Sequence, residues 1–276
     1  MKPNYVKIPR RLLLKAGAHI IVPGSTKGGP GKSSTIITMA GVCRLAGLPY
    51  IVASYDQSNT TLERSLGKGV VVTLDAQTPE LARSTLAAVV KMARENRAII
   101  LMDLPGALTN KESVLLENIH KARMLERCDS FSMVVPVSPD SEELEGAIAA
   151  ITLLKPHKVL IRARRPSRHA PAWESFAPWE YLSKFPQWEC EQWTQSMKDI
   201  ITRTGNYANL PPVPDLAAYL AETHSYMDDN EELDIEDVVN HLEIAAAAIY
   251  EHILEPITEL PPKETTKEKP TTAVVA

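Results

Sequence analysis

The stretch from Ala18 to Gly47 constrains the fold of this chain more than any other. An apolar run, Ala18 to Val22, leads through Thr26-Lys27-Gly28-Gly29-Pro30-Gly31-Lys32-Ser33-Ser34-Thr35 into a helical pattern, Ser33 to Leu45, closed by Gly47. A strand that feeds a glycine-rich loop and then a helix is the start of a βα unit, and repeated βα units build a parallel sheet. Without side chains at Gly28, Gly29 and Gly31, the backbone N–H groups there can point at phosphate oxygens. Lys32 falls where it would sit against β- and γ-phosphates, and Ser33 where its hydroxyl would meet Mg²⁺. The helix that begins here adds the positive end of its dipole.

The usual phosphate loop asks for a glycine five residues before its last glycine, and here Thr26 holds that position. The chain fits instead the variant K-G-G-x-G-K-[ST], in which Lys27 is an extra lysine ahead of the glycine pair. At these residues it resembles the ParA/MinD family of P-loop ATPases with a deviant Walker A motif, in particular the ParA-like members of plasmid partition, stability and conjugative-transfer systems. The resemblance implies an α/β fold of the P-loop NTPase kind, with a mostly parallel twisted sheet flanked by helices on both faces. It implies ATP and Mg²⁺ as cofactors, slow ATP hydrolysis, and a homodimer formed on ATP binding. Lys27, Gly28, Gly29, Gly31, Lys32, Ser33 and Ser34 would hold the nucleotide, and Lys27 would reach across the dimer to the nucleotide of the partner subunit.

The rest of the chain continues the alternation. Strands are expected at Tyr50 to Ser54, Val70 to Leu74, Ala98 to Met102, Ser130 to Val135 and Lys158 to Ile161. Helices are expected from about Pro79 to Asn96, Lys111 to Arg127 and Ser141 to Leu154. The run Ala98 to Met102 is apolar throughout, as a strand buried on both faces would be. It ends on Asp103 in Ile99-Ile100-Leu101-Met102-Asp103-Leu104-Pro105-Gly106. An acid at that point can hold Mg²⁺ opposite Ser33, and Gly106 would let the following loop approach the γ-phosphate.

A second acid, Asp56, lies in Ser54-Tyr55-Asp56-Gln57-Ser58-Asn59. The family resemblance compares this segment with D-x-D-P-Q-G-N, where the second Asp orients the attacking water. Ser54 replaces the first Asp and the Pro is missing. Two readings stand: a catalytic carboxylate alongside Lys27 and Lys32, or a turn Asp bonded to its own backbone.

Beyond Arg162 lies a Pro- and Trp-rich stretch with all four tryptophans, Trp173, Trp179, Trp188 and Trp193, expected to be an insertion or lid at about 165–210. The tryptophans could pack in the core or against a partner protein, stack on bases, or dip into a membrane interface; the interleaved Glu174, Glu180, Glu189 and Glu191 favour packing. Further helices are expected at Pro214 to Glu222 and Ile235 to Leu254. The chain thus divides into a basic N-terminal extension (1–17), an ATPase domain (18–260) and a Pro-, Lys-, Glu- and Thr-rich tail (261–276) expected to be disordered.

A net charge of −4 provides no overall attraction to nucleic acid. The charge is uneven, however: Lys155, Lys158, Arg162, Arg164, Arg165 and Arg168 form a basic run without an acid. Lys158, Arg162, Arg164, Arg165 and Arg168 are the candidates for non-specific DNA binding through phosphates, against the alternative of a solvated loop. No apolar run approaches the roughly 18 residues of a membrane span, and Leu12-Leu13-Leu14 is too short for a signal peptide, so a cytoplasmic protein without stable membrane insertion is expected. Cys43, Cys128 and Cys190 lack metal-ligand spacing and read as buried thiols. Two functions follow: an ATP-driven dimerisation switch acting on DNA with an activating partner protein, or a MinD-like positioning or assembly regulator acting on a protein without DNA.

Overall fold

Strands that are apolar on both faces need cover on both sides, and the chain supplies it. The computed structural model describes residues 12–24, 31–55, 62–63, 66, 71–104, 110–164, 171–190 and 243–260. Its elements in chain order are β1 (Leu13–Leu14), β2 (His19–Pro23), α1 (Lys32–Leu45), β3 (Tyr50–Ser54), β4 (Val71–Thr73), α2 (Pro79–Asn96), β5 (Ile99–Asp103) and α3 (Asn110–Ala122). There follow β6 (Ser130–Val137), α4 (Ser141–Leu154), β7 (Lys158–Arg164), α5 (Trp179–Leu182) and β8 (Gln187–Cys190). A last helix, α6 (243–249), runs on into a π-helical turn, Tyr250–Leu254, and β9 (Thr258–Glu259).

Seven strands form one sheet in the order β4-β3-β5-β2-β6-β7-β8, and every adjacent pair is parallel. One face packs against α1 and the C-terminal helix, with Ile21, Val52, Leu101, Val134 and Leu160 in the cluster. The other packs against α2, α3, α4 and α5, through Ile20, Val22, Ile100, Met102, Phe131, Met133 and Ile161. Neighbouring strand residues thus serve opposite layers, as a period of two requires.

The helices begin where their caps are. The Thr78 hydroxyl accepts from the Leu81 N–H at 3.2 Å, ahead of Pro79, and the Asp140 carboxylate accepts from the Glu143 N–H at 2.9 Å. Each cap satisfies a first-turn donor, worth about 1 kcal/mol. Helix α1 ends at a reversal through Gly47, φ +69°, with the Leu48 N–H donating to the Cys43 carbonyl at 2.8 Å.

Topology then decides where a ligand can go. From β2 the chain crosses by α1 to β3 on one side of the sheet, and from β5 it crosses by α3 to β6 on the other. A parallel sheet opens a crevice at the carboxyl ends of strands whose connections diverge in this way. Here those strands are β2 and its neighbour β5.

Several segments differ from the sequence-based expectation: α3 ends at Ala122 rather than at Arg127, Arg123 taking a left-handed φ of +54°, and β6 runs to Val137 rather than to Val135. Strand β7 runs on to Arg164 instead of stopping at Ile161, since its neighbour β6 is long enough to pair Pro136 with Arg162 and Val137 with Ala163. Residues 171–190 do not stand apart as an insertion: β8 joins the main sheet beside β7, and Trp173, Trp179 and Trp188 are buried. Trp173 and Trp179 stack at 4.3 Å between centroids. Within the N-terminal segment, Leu12 and Leu14 are buried and β1 pairs antiparallel with β9. The expected helix at Pro214 to Glu222, Trp193 and the tail from 261 lie outside the described residues, and of the helix at Ile235 to Leu254 the part from 243 is described. No helix among the described residues is long and apolar enough to cross a membrane.

Candidate nucleotide site

Helix α1 starts at Lys32, directly after Gly31, whose φ of +94° is a conformation that side-chain-bearing residues rarely adopt. Its first turn carries no acidic residue, and Gly31 has no side chain with which to cap it. The positive end of this 14-residue helix suits a phosphate. Gly31, Lys32, Ser33 and Ser34 are partly exposed at this end. Behind them the helix is sealed: Thr35 and Thr38 are each 1% exposed, and their hydroxyls donate to the Gly31 and Ser34 carbonyls, both at 2.9 Å.

Strand β5 carries Asp103 to the same end of the sheet. The pairing of Ile21 with Leu101 puts Asp103 level with Pro23, where β2 leaves the sheet toward the loop. Asp103 is buried, and on its other side it pairs in register with Ser54, whose hydroxyl donates to its Oδ2 at 3.4 Å. A carboxylate fixed at the end of a buried strand beside the phosphate loop suits Mg²⁺. That ion keeps much of its water and takes one or two protein oxygens together with phosphates. No group of three or more His, Cys, Asp or Glu side chains among the described residues could hold a metal by itself. Asp103 and Ser33 would therefore share Mg²⁺ with the nucleotide, and the ion would supply charge neutralisation at the phosphates.

Lys27, Gly28 and Gly29 of the loop and Asp56 after β3 lie outside the described residues, as do Arg165 and Arg168 of the basic run. The remaining basic candidates do not form one surface. Lys158 and Arg164 stand at opposite ends of a seven-residue strand, about 20 Å apart at 3.3 Å per residue. Arg162, between them, is 7% exposed and faces inward, its Nη1 donating to the Thr35 hydroxyl at 2.9 Å. Arg162 is thus removed from any exposed phosphate-binding face. The sequence reading missed Ser54 as a partner of Asp103, and Thr35 and Arg162 as a pair. The available signal for the last was a single arginine following the apolar run Val159-Leu160-Ile161.

The three thiols are buried and free. Burial pushes Cys43 up to about 12 and Cys128 up to about 11, so neither supplies a thiolate at neutral pH.

No protein-family model and no curated protein matches the chain. Among solved structures, it is similar to a ParA family ATPase from Chlorobium tepidum TLS, with a TM-score of 0.50 at 11% identity over 83% of this chain and 98% of that one. It also resembles the MinC:MinD cell division protein complex of Aquifex aeolicus, with a TM-score of 0.45 at 15% identity over 82% of this chain and 96% of that one. For the signal recognition particle 54 kDa protein of Aeropyrum pernix K1, in complex with GDP, the TM-score is 0.46 at 14% identity, over 83% of this chain and 50% of that one. At 11% identity the likeness to the ParA family ATPase establishes the fold alone, a mostly parallel sheet with helices on both faces, as expected of a P-loop NTPase.

Proposed function

We propose that the chain is an ATP-binding switch of the ParA/MinD type, which pairs with a second copy around bound ATP and resets by slow hydrolysis. The observation that carries this reading is the start of α1 at the left-handed Gly31, set beside Asp103 at the switch point of the sheet. In this reading the glycine loop holds the phosphates by backbone N–H groups, Lys32 neutralises them, and Ser33 and Asp103 hold Mg²⁺. Asp56 orients the attacking water, and Lys27 completes the site of the partner subunit. Phosphoryl transfer depends mainly on positioning and charge stabilisation, so a site assembled only in the dimer makes hydrolysis a timer for dissociation.

For the output of the switch we propose DNA partition, stability or conjugative transfer, with phosphate contacts narrowed to Arg164, Arg165 and Arg168. Sedimentation velocity with ATP, with ADP and with each nucleotide plus non-specific DNA tests both levels. A dimer with ATP alone, joined by DNA in a salt-sensitive manner, is the expected result. A chain that binds ATP yet stays monomeric throughout would overturn the switch. Lys27→Ala should keep ATP binding and lose hydrolysis; turnover at the wild-type rate would overturn the role of Lys27 in the partner's site.

A second reading, a protein-positioning or assembly regulator, is favoured by the burial of Arg162 and the separation of Lys158 from Arg164. An ATP-dependent dimer with no affinity for DNA at low salt would select it.

A further inference from the structure

Strand β7 places an arginine where a strand between packed layers carries apolar residues. Leu160, two residues earlier on the same face, belongs to the α1 cluster, as does Trp188, the register partner of Arg162 on β8. On its other side Arg162 pairs with Pro136 of β6. Flanked by strands on both sides, its backbone has no room to shift. Its side chain is 7% exposed and its Nε is buried without a hydrogen-bond partner. Among the described residues no carboxylate forms an ion pair with it. A guanidinium in such a place is costly unless something offsets its charge.

Among the described residues, the side-chain hydrogen bond of Arg162 leads to the start of α1. Arginine has only donors, so the 2.9 Å contact runs from its Nη1–H to the Thr35 hydroxyl oxygen. That hydroxyl has a single proton, which it gives to the Gly31 carbonyl, also at 2.9 Å. The Thr35 N–H donates to the same carbonyl at 2.9 Å. Gly31 is the left-handed residue that turns the loop into the helix, and its orientation sets where the N–H groups of Lys32 and Ser33 point.

We infer that Arg162 is a positioning residue for the phosphate loop, which holds the Gly31 carbonyl through Thr35 and places a buried positive charge behind the nucleotide's phosphates. The inference rests on the nucleotide reading of the loop and adds a residue to it. A nucleotide polyphosphate brings the negative charge that the described residues around Arg162 do not pair with it, and in a poorly screened interior that attraction is larger than at a surface. The arginine therefore costs stability in the free protein and returns it on binding. An arginine that served only the core would do the reverse, since its removal would destabilise the free protein and leave affinity alone.

Binding of ADP and of ATP by calorimetry, together with thermal melts of the free full-length chain, tests this with five variants. Arg162→Met keeps the stem and removes the charge. It should bind both nucleotides about tenfold more weakly, with the loss persisting at high salt, while the free protein melts no lower than wild type. Thr35→Val should also weaken binding, Thr35→Ser should restore it, and the double variant Arg162→Met/Thr35→Val should lose less than the sum of the two. Lys32→Ala separates the two levels of the argument. Binding that survives in Lys32→Ala overturns the nucleotide reading and this inference with it. Binding lost there but unchanged in Arg162→Met, or additive losses in the double variant, overturns this inference alone.

Discussion

The two ends of the sheet hold similar residues to different effect. At the amino ends of β2 and β6, Asp129 accepts from the Ala18 N–H at 2.7 Å and from Arg94 at 3.5 Å. Its side chain lies against Gly17, where a Cβ would come within 2.9 Å of it. Charge is answered there from within the chain, between side chains that remain about half exposed. At the carboxyl ends, Arg162 is buried and forms no ion pair with a carboxylate among the described residues, and the first turn of α1 carries no acidic residue. One end closes the fold and the other is arranged for a charge that comes from outside. Substitutions at the first should therefore change stability without affinity, and at the second affinity without stability.

The largest effect is expected from Lys32→Ala. Loss of a charge-assisted contact to phosphate should weaken ATP binding by about a hundredfold, ~2.7 kcal/mol, while the melting temperature of the free protein stays within a degree or two. Asp103→Asn retains an oxygen for Ser54 and removes the charge. It should abolish the part of ATP affinity that depends on Mg²⁺ and leave the Mg²⁺-free part intact, as calorimetry with and without chelator would show. A fall in free-protein stability as large as the fall in affinity, in either variant, would erase the distinction between the ends.

At the other end, Gly17→Ala should cost about 2 kcal/mol of stability. Its φ of +139° is unfavourable for a side chain, and the new methyl would crowd Asp129. Urea titration of the free protein measures that loss, and ATP affinity at a temperature where the variant is folded should equal wild type. A changed affinity would mean that the two ends are coupled through β2.

What was legible in the sequence follows the same division. The span Pro79–Asn96 and the span Ser141–Leu154 match the expected helices because Thr78 and Asp140 cap them locally. Tyr50–Ser54 and Ile99–Asp103 were readable because strands covered on both faces are apolar throughout. Arg162 was misread since arginine so rarely lies in a sheet interior that a strand is ended before it. β6 itself runs two residues past the expected Val135, to Val137, and so gives β7 a partner as far as Ala163. Gln187–Cys190 alternates exposed and buried residues, the period of a half-buried strand, but four residues are too short a run for that period to stand out in the sequence. The contact of Ser54 with Asp103 could not be read from spacing, because it joins strands 49 residues apart in sequence.

The smallest expected effect concerns acid, and it separates two groups within the closed end. His19 is buried, and burial holds its pKa below the usual 6.5, with the Lys15 backbone and then the Asp129 charge acting in the opposite sense. In the unfolded chain His19 takes up a proton as pH falls below 6.5, whereas in the folded protein it resists, so acidification favours unfolding. Asp129 is held below 3.8, chiefly by the Ala18 N–H, so its contribution is present above that pH and is lost as pH falls through its lower folded value. Stability should accordingly decline in two stages, first below about pH 6.5 with a slope of at most ~1.4 kcal/mol per pH unit, then again below about pH 3.8. His19→Leu should flatten the first stage and leave the second. Asp129→Asn should flatten the second and cost about 1 kcal/mol at neutral pH, a modest figure because the group is half exposed. If His19→Leu leaves the upper stage in place, the acid response belongs to another group and the amino end is less self-contained than its bonds suggest.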